Sequence, residues 1–149
     1  MPSRGTPITI LMADDDEEDC ALTKEAMTDA RLANEMRFVS DGEELMDYLC
    51  HRAEFLDEAA APRPSLILLD LNMPRKDGRE ALREIKGDPD LRHLPIVVLT
   101  TSSAEEDIVR SYQLGVNSFM KKPVAFAGLV DAMRVLGRYW FEIVDLPEP

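Results

Sequence analysis

Leu66-Ile67-Leu68-Leu69-Asp70-Leu71-Asn72-Met73-Pro74 is the stretch that decides how this chain folds. Four consecutive large apolar residues, with neither helical nor alternating spacing, read as a strand buried on both faces, the kind found inside a parallel sheet. A carboxylate closing such a run is poorly placed for an ordinary surface charge. Asp70 is therefore either a buried capping group or a residue with chemistry to do.

Outward from this run the same pattern repeats. Ile8 to Ala13, Ile96 to Leu99 and a weaker Met36 to Val39 are short apolar runs bounded by turn or charge signals. Ser118-Phe119-Met120 sits between Gly115 and Pro123, where a fifth strand completes the rhythm. Between the runs fall helical patterns: Leu22, Ala26 and Met27; Leu45, Met46 and Leu49; Ala81, Leu82 and Ile85; Ile108, Val109 and Tyr112. A last helix is expected from about Ala125 towards Val144. Asp41-x-x-Glu44, Asp77-x-x-Glu80 and Ser103-x-x-Glu106 each place a side-chain oxygen at a helix start with a carboxylate three residues on. Alternating strand and helix predicts a parallel sheet covered on both faces and joined by right-handed crossovers. In such open sheets the working crevice lies beyond the carboxyl ends of the strands, where strand order reverses.

The bulk composition narrows the function. At 149 residues, 45% hydrophobic and 31% charged, the chain fits one domain able to bury a core without disulfides or metals. Its 17 Lys and Arg against 29 Asp and Glu give a net charge of -12, which disfavours nucleic acid and anionic membrane as partners. Cys20 and Cys50 each fall inside a helix-like stretch and lack metal-ligand spacing, so a reducing compartment fits best. No stretch approaches the roughly 20 apolar residues of a membrane span, and the apolar run near the N-terminus is too short for a signal-peptide core. A cytoplasmic protein is expected.

The strand ends carry the chemistry. The first ends in Asp14-Asp15-Asp16, the third in Asp70, the fourth in Thr100-Thr101-Ser102 and the fifth in Lys121-Lys122-Pro123. Carboxylates brought together at one end of a sheet repel each other, and a hard cation is the usual remedy. Mg²⁺ suits one or two carboxylates with a carbonyl and waters, and no His or Cys lies near these ends to favour zinc. An ammonium such as that of Lys122 can pair with a carboxylate at rest and with phosphoryl oxygens afterwards, while Thr100 adds a hydroxyl. That array suits phosphoryl transfer, which needs positioning and cations more than covalent chemistry.

The runs ILMADDDEEDCALTKEAM, LILLDLNMPRKDGREAL, LPIVVLTTSSAEEDI and GVNSFMKKPV, in that order and spacing, resemble the response-regulator receiver domain family, the CheY-like receivers. The resemblance covers roughly residues 8 to 136. It implies an α/β, flavodoxin-like receiver fold: a doubly wound five-stranded parallel sheet, order 2-1-3-4-5, flanked by five helices. It implies a metal site of Asp14, Asp15, Asp70 and the backbone carbonyl of Asn72, with Asp70 as phosphoacceptor and Lys122 and Thr100 assisting. It also implies Thr100 and Phe119 as the switch pair and a cis Lys122-Pro123 peptide. Asp19, the doubled Thr100-Thr101 with Ser102, Pro62-Arg63-Pro64 and the aromatic Tyr139-Trp140-Phe141 resemble, in particular, the small response regulators paired with bacterial phytochrome-type histidine kinases.

Plainer readings stand beside these. Asp14 to Asp19 also reads as a solvated, dipole-favoured helix start. Thr101 and Ser102 read better as caps of the next helix, and Lys121 as solvent-facing because neighbours in a strand point to opposite faces. Phe119 taken alone reads as core. His51 and His93 read as surface residues, and neither as a phosphodonor. Phe126, Leu129, Val130, Met133 and Leu136 form a core-facing stripe that Trp140, Ile143 and Val144 extend; the overhang either folds back onto its own domain or presents an apolar surface to another chain, and of the two a homodimer through the fourth helix, fifth strand and last helix is expected, with Tyr139, Trp140 and Phe141 at its surface.

The expected organisation is a short tail over 1–7, a receiver over 8–136, and an extension of the last helix with a tail over 137–149. The expected function is acceptance of a phosphoryl group from a sensor histidine kinase onto Asp70 with Mg²⁺, read by another protein because no output domain follows. A downstream phosphotransfer protein is a further candidate partner. A metal-dependent phosphohydrolase of the haloacid-dehalogenase kind is the first rival, but such enzymes usually carry a second Asp where this chain has Asn72. A nucleotide- or flavin-binding module is the second, and acids stand where its glycine-rich loop belongs.

Overall fold

The computed structural model describes residues 9–29, 35–57, 61–70, 73, 78–100, 118–121, 128, 130–131 and 134–135, with 100 and 118–121 described at the level of the backbone. Its elements are β1 (Thr9–Ala13), α1 (Glu17–Asp29), β2 (Glu35–Val39), α2 (Gly42–Leu49), a 3-10 turn at Ala53–Phe55, β3 (Leu66–Asp70), α3 (Gly78–Gly87), β4 (Ile96–Thr100) and β5 (Ser118–Lys121). Residues 128, 130, 131, 134 and 135 are helical. The strands are parallel, β1 to β4 stand in the order β2-β1-β3-β4, and the backbone of β5 pairs with β4 on its far side. The helix expected around Ile108 to Tyr112, the caps expected at Asp77 and Ser103, and most of the expected last helix lie outside the described residues.

Alternate strand residues divide between two cores. Leu11, Ala13, Ile67, Leu69, Ile96 and Val98 pack with α2 and α3 through Leu45, Met46, Leu82 and Ile85. Ile10, Met12, Leu66, Leu68, Val97 and Leu99 face the other way, onto Ala26 and Met27 of α1 and onto Val130. This division is what right-handed crossovers require, because the chain steps outward from β1 to β2 through α1, then back to β3 and on to β4 through α2 and α3. Val130 is the described member of the expected C-terminal stripe, and it is buried as expected.

The strand boundaries differ by a residue from those read in the sequence, for a reason that lies in pairing. Glu35 joins β2 because it is held opposite Thr9, and Asp70 joins β3 because it is held opposite Leu99. Leu66, Ile67, Leu68 and Leu69 are all withdrawn from water, each contributing about 2 kcal/mol by burial. Together they offset the several kcal/mol that removing a carboxylate such as Asp70 from water costs.

At the start of α2, Asp41 Oδ1 accepts from the Glu44 backbone N–H at 2.8 Å, and the Glu44 carboxylate accepts from the Ser40 N–H at 2.8 Å, one residue before the cap. Beyond α2 the chain is tied back on itself. The buried Tyr48 hydroxyl donates to the Pro62 carbonyl at 2.7 Å, and its ring stands 5.2 Å from that of Phe55. His51, expected on the surface, is half-buried with Nε2 2.9 Å from the Ala61 carbonyl oxygen. Its backbone is left-handed, at φ 54°, as is that of Ala53 at φ 53°. Such a conformation costs about 1 kcal/mol or more without glycine, and the contacts around Tyr48 and His51 hold it. Cys50 caps the end of α2 and is exposed, whereas the sequence places it inside the helix; Cys20 lies within α1, and neither is in a disulfide.

Candidate functional site

The parallel register sets Ala13 opposite Leu69, so the next residues, Asp14 and Asp70, leave neighbouring strands side by side. They do so where the chain turns one way from β1 to β2 and the other way from β3 to β4, the crevice position of a doubly wound sheet. Asp14, Asp15 and Asp70 each place a carboxylate oxygen within 4.8 Å of the others. Asp15 is exposed, but Asp14 is only 2% and Asp70 only 7% accessible. Two unit charges 4.8 Å apart repel by about 3.5 kcal/mol at an effective dielectric near 20. That repulsion, in side chains already deprived of water, calls for a positive charge between them.

The donor chemistry fits a hard divalent cation. Among the described residues oxygen is the only donor type in the cluster, the groups come from two strand ends, and one carboxylate faces solvent where retained waters would sit. Among the described residues no histidine or cysteine joins the cluster to favour zinc, although, against the expectation that no cysteine lies near these strand ends, helix α1 brings the Cys20 Sγ to 3.7 Å from the Asp14 carbonyl.

Asp14 is held from several sides. Its backbone N–H donates to the Val39 carbonyl at the end of β2 at 3.0 Å. Its Oδ1 accepts from the Asp16 N–H at 2.9 Å, and its own carbonyl lies 3.7 Å from the Cys20 Sγ. Asp16 in turn begins α1: its Oδ1 accepts from the Glu18 N–H at 2.9 Å and the Asp19 N–H at 3.3 Å. Asp16 was not singled out among the candidate site residues. The signal was there, because an Asp immediately before an acidic first turn is an N-cap pattern.

Around this cluster the backbone brings up further expected residues. Asp70 pairs with Leu99, so the backbone of Thr100 stands at the next rung, opposite Lys121 of β5, and Phe119 is paired with Val98. Asn72, Lys122, Pro123, Tyr139, Trp140 and Phe141 lie outside the described residues, and with them the Lys122-Pro123 peptide. An open groove of about 610 Å³ lies at the opposite end of the sheet, between the end of α2 and the turn before β4. Arg63, which donates to the Asp90 carbonyl, lines it beside Leu49 and Leu91, and it shares no residue with the carboxylate cluster.

Comparison with known proteins agrees with this geometry. A family model for the response regulator receiver domain matches residues 10–134. Response regulator Rcp1 of Synechocystis is 40% identical over 141 residues, which are 95% of this chain and 94% of Rcp1. The crystal structure of the phosphorylated cyanobacterial phytochrome response regulator RcpA is 40% identical with a TM-score of 0.87, covering 96% of this chain and all of that one (100%). The Mn²⁺-bound form of Rcp1 is similar at a TM-score of 0.85 and 40% identity, over 95% of this chain and 100% of that structure.

Proposed function

Because the chain belongs to the response regulator receiver family, we propose that Asp70 is the residue that accepts its phosphoryl group and that a sensor histidine kinase supplies it. The observation that carries this reading is the meeting of Asp14, Asp15 and Asp70 within 4.8 Å at the switch point of the sheet. A carboxylate oxygen of Asp70 attacks phosphorus in line. The phosphorus–nitrogen bond to the kinase histidine breaks, and its electron pair stays on the imidazole, which takes up a proton. The product on this chain is an acyl phosphate.

Asp14, Asp15, Asp70 and the Asn72 carbonyl are the groups we assign to a divalent cation, Mg²⁺ in the cell. When bound, the cation neutralises the clustered carboxylates and the charge on the phosphoryl oxygens. Asp14, buried and fixed by the Asp16 N–H, presents its charge at a constant position, and exposed Asp15 leaves room for water. Lys122 supplies the counter-charge. Thr100 moves towards the new oxygens and Phe119 follows, changing the face built by the fourth helix, β5 and the last helix.

The kinase we assign is phytochrome-type, supported by the similarity to RcpA, itself described as a phytochrome response regulator. We assign the full receiver architecture, five strands and five helices, to residues 8–136, with 137–149 as helix extension and tail. The surface around Tyr139, Trp140 and Phe141 is our candidate for a homodimer contact. Val135, helical and 65% exposed a few residues earlier in the sequence, is an apolar side chain open to solvent and supports that choice. Among the described residues no helix is long and apolar enough to cross a membrane, which is compatible with a cytoplasmic switch. Output then passes to a partner or to a phosphotransfer protein. Asn72, in place of a second Asp, argues against a phosphohydrolase.

Incubation with acetyl phosphate and Mg²⁺, followed by intact mass measurement, tests the reading. Wild type gains one phosphoryl group, Asp70→Asn gains none, and omission of Mg²⁺ abolishes the gain. Sustained release of phosphate from small esters at enzyme rates contradicts it.

A further inference from the structure

We infer that Asp16 is a positioning residue for the divalent-cation site, acting through its helix-capping carboxylate and not through its charge. The inference rests on the reading of Asp14 as a cation ligand. All three polar groups of Asp16 are engaged in one chain of contacts. Its carboxylate caps α1 by accepting from the Glu18 and Asp19 N–H groups at 2.9 and 3.3 Å. Its carbonyl accepts the Cys20 N–H at 3.1 Å. Its own N–H, so fixed, donates to Asp14 Oδ1 at 2.9 Å. Asp16 itself is exposed, and it is not a member of the cluster in which Asp14, Asp15 and Asp70 converge.

The cap therefore has two consequences, one at each end of the residue. It satisfies two of the backbone donors that a helix start leaves open. It also locks the peptide whose N–H sets the direction of the Asp14 carboxylate. A ligand that is aimed in advance loses less orientational freedom on binding, which is how outer contacts raise the affinity of a metal site. Without the cap the N–H remains, but the first turn of α1 frays and the Asp14 carboxylate turns more freely.

Charge and capping are separable, because Asn and Ser cap about as well as Asp yet carry no charge. Mn²⁺ binding to the full chain, read by the free-ion electron paramagnetic resonance signal, is the test. It is run well below the melting temperature of each variant, with melting recorded in parallel without metal. Asp16→Ala is expected to bind Mn²⁺ roughly tenfold more weakly than wild type, the lower end of the loss that follows removal of an outer contact. Asp16→Asn and Asp16→Ser are expected to stay within about twofold of wild type, as their capping oxygens allow. If Asp16→Ala melts lower but binds Mn²⁺ as wild type does, the cap is structural only and the inference fails. If Asn and Ser weaken binding as much as Ala, charge and not capping is responsible, and the inference again fails. Wild type that binds no Mn²⁺, or Asp14→Asn that binds it equally well, overturns the cation site itself and this inference with it.

Discussion

Asp14 and Asp70 stand side by side at the ends of β1 and β3, with carboxylate oxygens inside 4.8 Å and almost no access to water. The apolar residues that precede them on each strand drive both into place, and so bring two like charges together at one end of the sheet.

Replacing one of them by its amide should therefore stabilise the metal-free protein. Asp14→Asn keeps the oxygen that accepts the Asp16 N–H but removes the charge, and a gain of about 1–3 kcal/mol is expected in the absence of metal. Saturating Mg²⁺ should raise wild-type stability by about 2.7 kcal/mol at a hundredfold excess over Kd, and Asp14→Asn by much less. Thermal melts with and without Mg²⁺ decide this. A metal-free variant less stable than wild type would mean that repulsion between the carboxylates is not the governing strain.

Tyr48 gives the fold a dependence on alkaline pH. Burial pushes its hydroxyl from 10.0 up to about 12, with the Arg37 charge opposing the shift and the Glu35 charge adding to it. The unfolded chain therefore loses this proton first. The contribution is complete below the unfolded value near 10 and disappears as pH rises through about 12. Tyr48→Phe, which leaves the Pro62 carbonyl without its donor, should cost about 1–3 kcal/mol near neutral pH. Urea melts at neutral and at alkaline pH should show the difference between the two proteins shrinking as pH rises. A difference that is constant with pH contradicts this role.

The cap of α2 is a local contribution that can be measured apart from the site. Asp41→Ala removes the acceptor for the Glu44 N–H and should cost about 1 kcal/mol, whereas Asp41→Asn should retain most of it. Glu44→Ala releases the Ser40 N–H, and the double variant should lose less than the sum, because both side chains fix the same turn. Additive losses in denaturant melts would show that the two bonds act independently.

The sequence was most legible where burial is complete. β3, and the strands around it, read directly as apolar runs because a parallel strand covered on both faces needs no alternation. β2 was harder, since at the edge of the sheet Glu35 is exposed and Met36, Arg37 and Phe38 are only half-buried. Strand order is a long-range property that runs of residues do not encode, and the expectation came from resemblance to a family. The carboxylates were legible because each closes an apolar run. The supporting contact from Asp16 was missed although its capping pattern is local. The half-burial of His51 was beyond reach, because it depends on a left-handed turn without glycine and on a carbonyl ten residues away.

The central claim is that the phosphoryl group resides on Asp70, and it can be read at the residue itself. Borohydride reduction of the protein after treatment with acetyl phosphate and Mg²⁺ converts an aspartyl phosphate to homoserine, which peptide mass spectrometry locates. Homoserine at position 70, absent without Mg²⁺, is the predicted result. Homoserine at Asp14, Asp15 or elsewhere, with Asp70 intact, would contradict the account.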